Sequence, residues 1–198
     1  MEIYNSFQTS VKKALDEIDP NWPKYNGLIV CGTHSPENVE ELIGKIKQAR
    51  DSNLPFLGIC AGFQIMALEY ARNGLGIKDA TSEEFSKKGT FIVYKLPKLR
   101  VGIKKVRWQG KITEESHWHN YAIKPEYFEE WFLISGGNHS SFLSNPYDYD
   151  GYEGIVEIAR LKENKFFVGV QFHPEYQSSK EKPHPLLLEF LKYAKMAM

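Results

Sequence analysis

Between Pro55 and Gln64 the chain leaves a short apolar stretch, crosses a cysteine set between two glycines, Gly58-Ile59-Cys60-Ala61-Gly62, and runs on with Phe63, Met66, Ala67, Tyr70 and Ala71 at helical spacing. A brief buried strand that turns at once into a helix lifts one side chain out of a sheet edge, and small residues are needed where the turn is tightest. A thiol at that corner faces the positive end of the new helix, which draws it toward the nucleophilic thiolate. Read alone, the same residues also fit a core cysteine in an ordinary strand-loop-helix unit, because free cysteine packs as a small hydrophobe.

The flanking sequence repeats that alternation. Phe7, Val11, Leu15 and Ile18 fall on one helical face over residues 6–18, with Asn5 or Ser6 available as a cap. Residues 27–31 form a brief apolar run, which predicts a buried strand. Ser35 followed by Pro36 and Glu37 is a helix-start signal, and Val39, Leu42, Ile43, Ile46 and Ala49 continue it as an amphipathic helix to about Asp51. Residues 55–59 give the next strand, and the cysteine corner opens an amphipathic helix after it. Strand, helix, strand, helix predicts an α/β fold: a doubly wound, mostly parallel sheet covered by helices on both faces.

Beyond Gly76 the pattern changes to polar connections and strand-like pieces at 90–95, 103–108, 121–123, 132–135 and 155–161, several of them expected to form an antiparallel extension. Residues 135–152 have the composition of a long surface loop. The last strong strand, 166–172, delivers His173-Pro174-Glu175 at its carboxyl end, and 185–197 closes the chain as a helix. The first strand looks clipped, with only residues 1–4 available to it. With no repeat or linker in its 198 residues, the chain is expected to be one domain, 1–198.

Lysine plus arginine and aspartate plus glutamate both number 25, so bulk charge implies neither a nucleic-acid face nor a membrane surface. Only two cysteines occur, Cys31 and Cys60, which points away from a disulfide framework and toward a reducing cytoplasm. No basic leader or membrane-length apolar run is present, so a soluble cytoplasmic protein is expected.

A cysteine that attacks a carbonyl needs a base to take its proton and a third group to orient that base, and Cys60, His173 and Glu175 are the right types. In open α/β sheets functional groups gather at the carboxyl ends of strands, where Cys60 and His173 are both predicted. In an extended segment Glu175 would lie on the same side as His173, where it could hold the far ring nitrogen.

Gly58-Ile59-Cys60-Ala61-Gly62-Phe63-Gln64, taken with Gln171-Phe172-His173-Pro174-Glu175, resembles the class I glutamine amidotransferase pattern. Residues 68–80, Ser82-Glu83-Glu84-Phe85, Phe166-Phe167-Val168, His184-Pro185-Leu186 and Ser10 to Leu15 are similar to the glutaminase domain of CTP synthase, so the resemblance covers nearly the whole chain. It implies a Cys60-His173-Glu175 triad acting without cofactor or metal through a γ-glutamyl thioester. The backbone of Ala61, and of Gly32 or Thr33, would stabilise the oxyanion, and Gln64 and Glu84 would contact bound glutamine. A separately encoded synthetase subunit would then take the ammonia, and self-association into a homo-oligomer is compatible with this.

The sequence also departs from that family. The related domain carries a Gly-Gly pair where this chain has Gly32-Thr33, and a threonine there restricts positive φ, so the loop is expected to hold its N–H differently. The related domain also has an arginine that grips the glutamine carboxylate before a tyrosine; this chain reads Ser116-His117-Trp118-His119-Asn120-Tyr121. Trp118 and His119 could instead meet a different amide substrate. The synthetase domain that precedes the glutaminase in CTP synthase has no counterpart in these residues, nor is there a phosphate-cradling glycine loop. Two other readings stay open: a γ-glutamyl peptidase or hydrolase acting on a larger substrate, and a catalytically weak regulatory or binding subunit.

Overall fold

The computed structural model describes residues 1–35, 38–108, 111–127 and 155–198. Its framework is a five-stranded sheet made of β1 (Glu2–Tyr4), β2 (Leu28–Val30), β3 (Phe56–Ile59), β7 (Ile158–Arg160) and β8 (Phe167–Val170), in spatial order β1-β2-β3-β8-β7. All neighbours are parallel except β7, which runs antiparallel to β8. The strands are short and apolar because both faces are covered. Leu28, Val30, Phe56 and Phe167 project to one side, toward α2 (Val39–Asp51) and α3 (Ala61–Asn73). Ile29, Leu57, Ile59, Val168 and Val170 project to the other, toward α1 (Gln8–Ile18) and α4 (Pro185–Met196). That alternation is the period-2 geometry of a strand read on two buried faces. Phe56 stacks on Phe167 across the β3–β8 register at 4.5 Å between ring centroids, and truncating either would cost about 3–5 kcal/mol.

The doubly wound expectation holds, and the first strand is indeed short and at the edge. The expected caps of α1 do not form. Phe7 occupies the N-cap position without a side-chain bond, while Asn5, at φ 77, donates to the Cys31 carbonyl at 3.0 Å and Ser6 meets the Thr33 hydroxyl at 2.8 Å. Both residues tie the chain to the loop after β2 instead. Pro36 and Glu37 lie outside the described residues, and α2 starts behind Asn38.

The helix α3 is not amphipathic. Every residue from Ala61 to Ala71 is buried, because α3 packs on the main sheet and on α2 and is also covered by a second sheet from further along the chain. The polar residues on its outer side find partners on α2 and on that second sheet. Glu69 accepts from Arg50 at 2.9 and 3.1 Å, and Gln64 donates to the Tyr121 carbonyl at 3.1 Å.

The second sheet comprises β4 (Ala80–Ser82), β5 (Thr90–Trp108) and β6 (Lys111–Ile123). Where the sequence suggested short separate pieces, β5 and β6 form one long antiparallel hairpin with a bulge in which Leu96, Pro97, Lys98 and Leu99 lie opposite Asn120 alone. The strands expected at 155–161 and 166–172 are present in trimmed form as β7 and β8. The expected strand at 132–135 and the loop at 135–152 lie outside the described residues. Among the described residues no helix is long and apolar enough to cross a membrane.

Candidate active site

Cys60 sits where β3 meets α3, at φ 54 and ψ −108. A positive φ on a residue with a Cβ is strained by on the order of 1–3 kcal/mol and persists only where its surroundings enforce it. Here the Cys60 N–H is fixed to the Val170 carbonyl at 2.8 Å, and the Cys60 carbonyl accepts from Phe63 and Gln64 at 3.1 and 3.2 Å to start the helix. The helix begins so close to the sheet that a Cβ on Gly62 would lie 1.8 Å from the Val30 carbonyl oxygen, so only glycine fits. Ala61 opens α3, where N–H groups have no intrahelical acceptor and face whatever lies beyond the helix end.

His173 follows β8, the parallel neighbour of β3, and so emerges beside the cysteine corner. Residues 173–175 are not extended as the sequence suggested: Pro174–Gln177 is a turn of 3-10 helix with His173 at its cap. The tight turn still brings Nδ1 of His173 to Oε1 of Glu175 at 2.8 Å, with both side chains buried. A methyl placed on Gly32 would lie 2.8 Å from Cε1 of His173 and 3.4 Å from Cβ of Cys60, so the imidazole and the cysteine meet across this glycine. The Cys60 thiol is directed at the Trp118 carbonyl at 3.6 Å, and Nε2 of His173 has no hydrogen-bond partner. The sulfur and the ring are therefore adjacent but not joined. Burial lowers the basicity of His173, but Cys60 and Glu175 outweigh it and raise the imidazole to about 10.

Strand β6 holds both groups. The Ser116 carbonyl takes the His173 N–H at 2.8 Å, and the Trp118 carbonyl takes the thiol. Between them His117 turns inward, with Nε2 3.0 Å from Glu157, whose other oxygen is bonded to Arg100. Burial alone would raise Glu157, but His117 and Arg100 draw it down to about 2.

Hydrogen-bond partners occupy the ring nitrogens of the other buried imidazoles. His117 has the Glu115 carbonyl at 3.0 Å from one nitrogen and Glu157 at 3.0 Å from the other. His119 donates to the Tyr121 carbonyl at 2.8 Å and receives Arg100 at 3.4 Å, and burial keeps it neutral by lowering it to about 3. His184 accepts from Leu186 at 3.1 Å to cap α4 and faces Glu115 at 3.2 Å. Among the described buried histidines, only His173 keeps a ring nitrogen open.

Cys60 opens into a cavity of about 210 Å³ whose walls include Thr33, Ala61, Gln64, Glu84, Trp118 and His119. The residues expected to bind substrate thus share one enclosure. Gly32 lies just behind it, against Cys60 and His173. Neither Gly32 nor Thr33 adopts a positive φ, so the threonine fits without strain, and what Gly32 supplies is room for the imidazole. Sequence reasoning missed His34, Leu99, Asn120 and Tyr121 on the walls and the Arg100–Glu157–His117 cluster behind them. The one signal for that cluster was histidine at alternate positions, 117 and 119, in a strand. Two larger depressions, of about 410 and 480 Å³, contain no cysteine or histidine.

The cysteine corner and the carboxylate-held imidazole thus stand at the carboxyl ends of adjacent parallel strands. The chain belongs to the class-I glutamine amidotransferase family, whose model matches residues 5–193. Within that family it is similar to CTP synthase. It is 34% identical to the CTP synthase of Sulfolobus acidocaldarius over 94% of this chain and 35% identical to that of Thermotoga maritima over 92%, spanning 37% of the length of each. The solved glutaminase domain of Trypanosoma brucei CTPS with bound acivicin superimposes with a TM-score of 0.79 at 22% identity, covering 100% of this chain and 93% of that one. That likeness shows the shared fold.

Proposed function

We propose that this chain is a cysteine-dependent amidohydrolase that cleaves the side-chain amide of glutamine or a related carboxamide. The observation that carries this reading is the open Nε2 of His173, oriented through Nδ1 by Glu175 and set beside a cysteine that opens into a cavity. With the His173 imidazole raised to about 10, the proton of Cys60 already rests on the ring when Sγ attacks the amide carbon, and the carbonyl oxygen takes the negative charge beside the Ala61 N–H, with the Gly32-Thr33 backbone on the other side. His173 returns the proton to the departing nitrogen, the C–N bond breaks, and ammonia leaves a γ-glutamyl thioester on Cys60. Water then adds with His173 as base, the C–S bond breaks, and the acid is released with the thiol restored. Glu175 holds the ring in the tautomer both halves require.

The ammonia is free product or passes to a separate synthetase subunit, by analogy with the longer CTP synthases. A γ-glutamyl hydrolase acting on a larger substrate is the second reading, favoured by the exposed Trp118 ring at the cavity rim. The test is release of ammonia, or of a larger amine, by purified protein from L-glutamine and from γ-glutamyl amides of larger amines. Turnover that Cys60→Ala abolishes supports the proposal. Release of a larger amine without ammonia supports the second reading, and no turnover with any amide, together with no alkylation of Cys60, overturns both.

A further inference from the structure

Glutamine brings two charges into a site besides its amide, an α-ammonium and an α-carboxylate, and each must exchange water for a partner when enclosed. The cavity over Cys60 offers the two very unequal terms. Glu84 is half-buried on its wall, with a carboxylate that makes no hydrogen bond or ion pair with another described residue, and burial pushes it above the usual carboxylate range. It is a ready partner for an ammonium.

For a carboxylate the described residues offer no comparable partner. No lysine or arginine lines the cavity among the described residues, and residues 36–37, 109–110 and 128–154 contain neither type. Arg107 and Lys111 fall in the last two register pairs of the β5–β6 hairpin, Arg107 opposite Ile112 and Lys111 opposite Trp108. Arg100 lies behind the wall, bonded to Glu157, with His119 between it and the cavity. His119 itself is held neutral with both nitrogens engaged. His34 is exposed and sits edge-on to Phe7 and Trp118, an aromatic setting. At the rim Trp118 is 55% exposed, giving an apolar surface just where a longer substrate would leave the cavity.

We infer that the site selects glutaminyl carboxamides that keep a free α-ammonium, paired with Glu84, but whose α-carboxyl is masked as an amide or peptide bond and extends past Trp118. This rests on the hydrolase reading and narrows its substrate class. Because the proposal concerns recognition, binding separates it from the chemistry.

The experiment is calorimetric titration of the Cys60→Ala protein, with Cys60→Ser as the alternative should alanine disturb the fold, using L-glutaminylglycine, L-glutamine and N-acetyl-L-glutamine. The expected result is affinity for L-glutaminylglycine about tenfold or more above that for L-glutamine, with N-acetyl-L-glutamine weakest. Glu84→Gln on this background should weaken the dipeptide and leave N-acetyl-L-glutamine unchanged, narrowing the gap to the part set by the α-carboxylate, and Asn120→Arg should raise L-glutamine toward the dipeptide. Equal or tighter binding of L-glutamine, or no binding of any of the three, overturns the inference. If the dipeptide binds as expected but the unmodified protein frees no ammonia from it, recognition stands and the hydrolase reading falls.

Discussion

Of the buried imidazole–carboxylate pairs described around β6, His173–Glu175 and His117–Glu157 differ most in what is left over. His173 and Glu175 meet at 2.8 Å, leaving Nε2 of the ring and Oε2 of the acid without partners. His117 and Glu157 meet at 3.0 Å, but the second ring nitrogen is taken by the Glu115 carbonyl and the second carboxylate oxygen by Arg100. The groups are alike in type, distance and burial, yet only the first can accept and return a proton without breaking a bond it already has. Unfilled hydrogen-bonding capacity marks the pair suited to chemistry; filled capacity marks the pair that fixes β6, whose carbonyls hold His173 and Cys60.

The contrast breaks first under substitution of the open pair. His173→Gln should lower ammonia release by about 10⁴-fold and Glu175→Gln by about 10²-fold or more, measured as kcat per folded molecule. The closed pair should respond in the opposite currency: Glu157→Gln leaves Arg100 and His117 buried against a neutral amide and should cost about 3–5 kcal/mol in denaturant unfolding, with activity per folded molecule within about tenfold of wild type. If Glu157→Gln were as inactive as His173→Gln while fully stable, the division between the pairs would fail.

Their pH dependences should also have opposite signs. Glu157 lies below its unfolded value of 4.5, at about 2, so its contribution is complete above 4.5 and is lost as pH falls toward 2. His173 lies above its unfolded value of 6.5, at about 10, so its contribution is complete below 6.5 and fades as pH rises toward 10. Thermal melts across pH should show both limbs, with Glu157→Gln flattening the acid side and His173→Gln the alkaline side. The smallest effect is expected at Cys31, which is fully buried and pushed well above the usual thiol range by that burial. Cys31→Ala should leave turnover within about twofold of wild type, since an inert core thiol contributes packing alone.

What the sequence revealed and what it concealed follow from where partners come from. Cys60 and His173 were legible because each ends a run of apolar residues, and the parallel register of β3 and β8 aligns those ends. The buried outer face of α3 was not, because its cover is a sheet built from residues 80–123 and Glu69 is neutralised by Arg50 on α2. The β5–β6 hairpin was hidden for a related reason: its inner face around the site carries Arg100, His117 and His119 in place of aliphatic side chains, which breaks the hydrophobic alternation on which strand reading depends. Asn5 and Ser6 have the chemistry of helix caps, but the nearby loop after β2 competes for them and wins.

The central claim is that the imidazole with one nitrogen open acts on Cys60 and not on Cys31, whose thiol is buried and raised well above the usual range. Iodoacetamide alkylation at pH 6, followed residue by residue through peptide mapping, tests it most directly. The account predicts modification of Cys60 with Cys31 untouched, and a slowing of about 10²-fold in His173→Gln. Labelling of Cys60 at an unchanged rate in that variant would contradict it.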